Sequence, residues 1–265
     1  MKKNIVIISI SLLTTALVAF GFVVEPQAPK TSEPITNTLT NEEVAFLIMG
    51  SDAPTFPNFF YDVSPRFMQT VTLEKLKEAR SIADFVDQCK EVVTYTSVEL
   101  VVLDDANETA LTAIGSDDVL TPEQLALLSS LDYSTNFKVR VFYTETIPST
   151  NLHGDYMTPH LTVVPEKQAT YEGGKHELIT YLKNNSQNVT AIEYADYNPG
   201  KLYFTVNAMG QISDVSLTSS CGYPEVDAHM QRLIRQLPGR WIPAENAQGE
   251  RVSQKLVFSF GNGGC

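Results

Sequence analysis

The side chains best suited to metal or thiol chemistry are four histidines and three cysteines, and their spacing argues against both. His153, His160, His176 and His229 are scattered, with no two at metal-ligand spacing. Cys89, Cys221 and Cys265 form no C-x-x-C pair, which rules out a zinc ribbon. There is no G-x-S-x-G, P-loop, G-x-G-x-x-G or H-E-x-x-H motif. Asp104-Asp105 and Asp117-Asp118 are paired carboxylates, but they sit among turn formers, where side-chain capping explains them. Cys89 ends a helical pattern and reads as a small buried apolar residue, and His229 lies on the polar flank of a helix. No catalytic residue, cofactor or metal follows from this set, and the chain reads as a non-enzyme.

The elements that carry these residues are organised around an export signal. Of 265 residues, 19 are basic and 31 acidic, a formal net charge of −12 that repels nucleic-acid backbones. Lys2-Lys3 precede Ile5 to Val24, a run of apolar, Ser, Thr and Gly side chains. As a helix it would span about 30 Å, one hydrocarbon core. The lysines would leave the N-terminus in the cytoplasm. A cleaved signal peptide ending near Ala19-Phe20-Gly21 is the competing reading of residues 1–24. Residues 25–41, with Pro26, Pro29 and Pro34, form a semi-rigid linker of about 50 Å. The remainder divides near Pro165 into residues 42–164 and 165–265.

The middle segment mixes strands and short helices. Leu73 to Val86 has apolar residues at helical spacing, and Val98 to Leu103 is a β-branched strand. Thr121-Pro122-Glu123-Gln124 opens a helix with a capping box. Phe137 to Tyr143 alternates as a half-buried strand, Thr144 to Pro159 reads as a loop, and His160 to Val164 as a further strand. Leu120 to Gln124 with Tyr133-Ser134-Thr135-Asn136-Phe137 faintly resembles the C-terminal domains of GldM-type gliding and secretion proteins.

In the C-terminal segment, Gly173-Gly174 lead into a helix over Lys175 to Lys183 that Asn184-Asn185-Ser186 should end. Leu202 to Met209 and Gln211 to Ser219 flank Gly210 as a hairpin. Pro224 to Leu237 is strongly amphipathic, with Val226, Met230, Leu233, Ile234 and Leu237 on one face. Pro238-Gly239 stops it, and Arg251 to Phe260 is the last strand, with Leu256, Phe258 and Phe260 facing inward. The expected fold class is α+β. Two helices pack on a three-stranded antiparallel sheet, after a β-rich middle domain and an N-terminal transmembrane helix.

This order resembles the TonB C-terminal domain over roughly residues 165–262. The matching stations are Tyr171-Glu172-Gly173-Gly174, Phe204-Thr205-Val206, Gly210-Gln211-Ile212, Asp214-Val215, Asp227, Leu237-Pro238, Trp241-Ile242-Pro243-Ala244 and Gly249. The resemblance implies a periplasmic energy transducer in the inner membrane. It would couple ion-driven motor proteins of ExbB and ExbD type to outer-membrane TonB-dependent transporters. It also implies that a transporter peptide adds as a strand to the exposed edge of the last strand. That edge would be Val252, Ser253, Gln254, Lys255, Leu256, Val257, Phe258 and Ser259. Two features depart from the family: the anchor has no histidine or charge, and the long Pro-rich rod is missing. The alternative is therefore a non-energised envelope adaptor or sensor that binds peptides or its own copies, including as a homodimer.

If the last strand is antiparallel to the first hairpin strand, it is parallel to the second. Cys221 and Cys265 then follow strands that end at the same end of the sheet, and a Cys221–Cys265 disulfide is expected. On the chain-entropy account it would stabilise by about 4 kcal/mol.

Overall fold

Alternating apolar residues lay down two sheets, and the first strand among the described residues belongs to the second sheet. A computed structural model describes residues 58–92, 94–145 and 153–262. The expected anchor and linker, and Cys265, lie outside the described residues. These residues fall within one unit, Asp52–Cys265, and are α+β, sheet-rich, with four α-helices among the described residues.

Strand β1 (Phe59–Ser64) crosses at once to the C-terminal sheet. β2 (Gln69–Thr72), β3 (Tyr95–Asp104), β4 (Asn107–Gly115), β5 (Asn136–Glu145) and β7 (His160–Val164) form the middle sheet, in the order β2-β7-β5-β3-β4. β6 (His153–Met157) also pairs with β5. The β2–β7 pair is parallel and the others are antiparallel. One face buries Val98, Leu100 and Val102 of β3 with Phe137, Val139 and Val141 of β5. Helix α1 (Leu73–Glu78) adds Leu73 and Leu76, and α2 (Pro122–Ser129) adds Leu128.

The C-terminal half holds the two-residue β8 (Thr170–Tyr171), α3 (Gly174–Thr190), β9 (Pro199–Val206), β10 (Ile212–Ser219) and α4 (Pro224–Arg235). Two short pairs follow. β11 (Trp241–Ile242) pairs with β8, and β12 (Ala244–Glu245) pairs with β13 (Arg251–Val252). β14 (Gln254–Asn262) closes the described chain. The sheet order is β1-β14-β9-β10, all antiparallel. The expected hairpin and last strand are present, but the sheet has four strands, not three. Its fourth comes from a segment assigned to the middle domain. Leu202, Phe204 and Val206 of β9 and Leu256, Phe258 and Phe260 of β14 meet Leu178 and Leu182 of α3 and Val226, Met230 and Ile234 of α4.

Three local expectations change. The helix expected over Leu73 to Val86 stops at Glu78. Ser81 caps a separate 3-10 turn, Ile82–Asp84, and Asp84 completes a capping box. The loop expected at Thr144 to Pro159 contains β6, whose pairing to β5 is made by backbone and needs no apolar alternation. α3 runs through Asn184-Asn185-Ser186 to Thr190 because side chains that could end a helix bond back into it. Asn185 Nδ2 donates to the Tyr181 carbonyl at 2.8 Å, Ser186 Oγ to that of Leu182 at 2.7 Å, and Thr190 Oγ1 to that of Ser186 at 3.1 Å.

The capping box at α2 is present and does more than cap. Gln124 is fully buried. Its Oε1 accepts from the Thr121 N–H at 2.9 Å, and its Nε2 donates to the Val98 carbonyl at 3.0 Å, tying helix to sheet. Gln124→Ala strands both backbone groups. A loss of about 1–3 kcal/mol is expected in urea denaturation, against less than about 0.5 kcal/mol for Glu123→Ala on the exposed side.

Candidate functional site

The segment expected to offer a free edge is divided and covered. Val252 belongs to β13 and pairs with Ala244. Ser253 lies between strands, and Gln254 to Ser259 belong to β14. One side of β14 pairs with β9 from Gln254 to Gly261. The other side pairs with β1, in the register Ser64↔Val257, Val63↔Phe258, Asp62↔Ser259 and on to Phe59↔Asn262. Beyond the end of β1, the Lys255 N–H donates to Ser134 Oγ at 2.9 Å. β14 is thus an interior strand, and the expected open edge is corrected to an edge held by the chain itself.

β1 docks for reasons written in its alternation. Val63 is buried in the core under the helices, and Phe59 and Tyr61 pack against it. Phe59 meets Tyr197 edge-on at 4.7 Å between ring centroids, and Tyr61 stacks over Phe258 at 6.4 Å. The Tyr61 hydroxyl bonds Ser186 Oγ at 2.6 Å, and Asp62 pairs with Lys175 Nζ at 2.5 Å. Phe60, on the other face, is exposed.

The two sheets meet at a polar seam that sequence reasoning missed. Tyr203 and Val257 are cross-strand partners on the face away from the helices, yet are 9% and 3% exposed. The Tyr203 hydroxyl donates to Asp105 Oδ1, and Arg66 Nε donates to the same oxygen at 2.5 Å. Lys255 Nζ lies 5.4 Å from the Tyr203 ring centroid, within cation–π range. Asp105 and Ser134 both have positive φ, 54° and 67°. Both are non-glycine residues that make contacts between the sheets. In the sequence Asp105 reads as a turn-capping carboxylate. Its turn position was visible in the sequence, but its partners come from β9 and the loop after β1.

The electrostatics follow from this geometry. Burial alone would raise the Asp105 carboxyl, but hydrogen bonds from Tyr203 and Arg66, and the charges of Arg66 and Lys201, outweigh it and hold the group below its ordinary range. Burial pushes the Tyr203 phenol well up, and its bond to Asp105 adds to that. Burial draws the Lys201 ammonium down, with Arg66 adding repulsion. Burial pushes Cys89 up to about 11 and Cys221 up to about 12. Asp227, one of the stations of the TonB resemblance, is buried; it accepts from Ser220 Oγ and from the Cys221 N–H at 3.0 Å. His229 Nε2 lies 2.8 Å from the Asn185 carbonyl, at the surface. Among the described residues no group of three His, Cys, Asp or Glu side chains could hold a metal ion.

No family model, curated protein or solved structure matches this chain. Any function must therefore be argued from the geometry.

Because the folded Asp105 carboxyl is held below its unfolded value, its contribution is complete above about pH 4 and is lost as pH falls through the folded value. Urea midpoints between pH 7 and pH 3 should fall on the acid side in the native protein. Asp105→Asn should be weaker by about 1–2 kcal/mol at pH 7, with a shallower acid slope. Equal slopes would refute the assignment.

Proposed function

We propose that this protein is a membrane-tethered adaptor of the cell envelope whose C-terminal module binds extended peptides by strand exchange on β14. One observation carries the reading: β14 accepts β1, six residues long, and the pairing overlaps at Val257, Phe258 and Ser259 the edge where the TonB resemblance puts a partner peptide. β1 thus acts as the resident strand, and an incoming peptide takes its place. Backbone bonds supply much of such an attachment, while Phe59, Tyr61 and Val63 mark the inward-facing positions a competing peptide must fill. An intramolecular strand acts at high effective concentration, about millimolar for a short tether, so only a well-matched peptide displaces it.

In this reading residues 1–24 hold the chain in the inner membrane as a single-pass anchor, with the C-terminal part in the periplasm. The partner is an outer-membrane transporter peptide or a similar extended segment. The adaptor is preferred to the energised transducer because Ile5 to Val24 carries no histidine or charge for a motor of ExbB and ExbD type to act on.

The test is a reversible clamp. Asp62 and Ser259 face each other across the two strands, so the double variant Asp62→Cys with Ser259→Cys can lock β1 in place. Partner capture from intact cells, read by photocrosslinking from Val257, should be lost in the oxidised variant and return on reduction. Capture that ignores the lock overturns strand exchange. Co-purified motor subunits, with transporter-dependent uptake lost on deletion of the chain, would overturn the adaptor reading in favour of energy transduction.

The disulfide is part of the same proposal. A methyl group placed on Gly261 would lie 3.3 Å from the Cys221 Cβ, so the end of β14 passes beside that thiol. Cys265 follows four residues later in the sequence, a reach of up to about 13 Å. Alkylation of the exported protein in denaturant should label one thiol, Cys89, and all three after reduction. Three labelled thiols without reduction would sink the bridge.

A further inference from the structure

We infer that the cleft between the β9–β10 turn and the end of α4 binds a phosphate group through Arg235 and Arg240. The cleft measures about 420 Å³, within the range of about 300–1,000 Å³ for ligand sites. Arg235, the last residue of α4, and Arg240, just before β11, both line it, with Met209 and Gly210 of the turn. No Asp or Glu among the described residues lines it, although the chain carries 31 acidic and 19 basic residues. None of its lining residues belongs to β1 or β14, so the site does not rest on strand exchange.

The backbone fixes the shape of this cleft. Gly210 has a φ of 75°, and a Cβ there would lie 2.2 Å from the Trp241 carbonyl oxygen. Only glycine lets the turn sit this close to β11. The two guanidiniums differ in what they still lack. Arg235 Nη2 donates to the Val215 carbonyl at 3.0 Å and to Gln231 Oε1 at 3.3 Å. Both acceptors are neutral, so they hold the side chain and leave its charge unmatched. The Arg240 guanidinium has no hydrogen-bond or ion-pair partner among the described residues. A cation in the last turn suits the α4 dipole, but Arg240, beyond the helix, has no such role. Each planar guanidinium offers a fork of donors that matches phosphate oxygens. Two unmatched positive charges balance a phosphate near −2, whereas a single carboxylate leaves one over. Met209 is 73% exposed at the same cleft, where it can meet an apolar group attached to the phosphate. The shared chemistry belongs to a free phosphate and to a phosphomonoester lipid headgroup.

The test is calorimetry on the full chain in nanodiscs of phosphatidylcholine, with the heat of empty nanodiscs subtracted. The probes are inorganic phosphate, soluble dihexanoyl phosphatidate and acetate, at matched ionic strength. Saturable binding of a phosphate probe is expected, with acetate roughly ten-fold weaker or worse. Tighter binding of phosphatidate, with the advantage removed by Met209→Ser, assigns the site to a lipid headgroup. Binding of inorganic phosphate with no such advantage assigns it to the free ion. Arg240→Gln breaks no contact among the described residues, so its thermal midpoint should hold while affinity falls roughly ten-fold. Arg235→Gln should weaken binding similarly, and Arg251→Gln, which does not line the cleft, should leave it unchanged. No saturable response to either phosphate probe, equal binding of acetate, undiminished binding by Arg240→Gln, or an equal loss in Arg251→Gln would overturn the site.

Discussion

The pairing of β1 with β14 is the constraint on which the rest of this structure depends. A strand with neighbours on both sides satisfies its backbone groups and loses the exposed edge that invites aggregation or a stray partner. Val63 is the one fully buried residue of β1 and joins it to the core beside its cross-strand partner Phe258. With β1 in place, the helix-covered face of the sheet gains Phe59 and Tyr61 as an aromatic flank. A module that would otherwise present a bare edge is closed by the chain's own N-terminal side, and any partner at that edge must compete with it.

The second consequence is a join between the two sheets. Once β1 has delivered the chain to the C-terminal sheet, Arg66 follows directly and reaches Asp105 in the turn between β3 and β4. Tyr203 of β9 converges on the same carboxylate. Ser134 meets the Lys255 N–H just beyond the end of β1. The middle sheet thus touches β14 and β9 through short polar contacts.

Buried polar groups decide where this fold is fastened. Gln124 and Asp227 each satisfy two partners from interior positions and act as fasteners. Trp241 is equally buried, packed against Tyr171 and Phe204, and its Nε1–H has no acceptor among the described residues. Burial also pushes the Cys89 and Cys221 thiols up.

Much of the local structure was legible in the residues. The Thr121–Gln124 cap, the α4 stripe from Val226 to Ile234 and the hairpin around Gly210 are where the sequence puts them, because each is specified by neighbours within a few turns or one strand pair. The continuation of α3 past Ser186 was hidden, because a hydroxyl can end a helix or bond back into it, and packing against Tyr61 favours the second. The class of the edge segment was readable and its availability was not. Phe59-Phe60-Tyr61-Asp62-Val63-Ser64 alternates like any strand, but nothing local says that its partner is at the far end of the chain. The sequence by itself determined the elements and their amphipathic faces, since these depend on short-range periodicity. Only the tertiary structure decided which edge was filled, which charges met at Asp105 and which indole N–H was left without a partner, since those depend on contacts between residues that chain order keeps far apart.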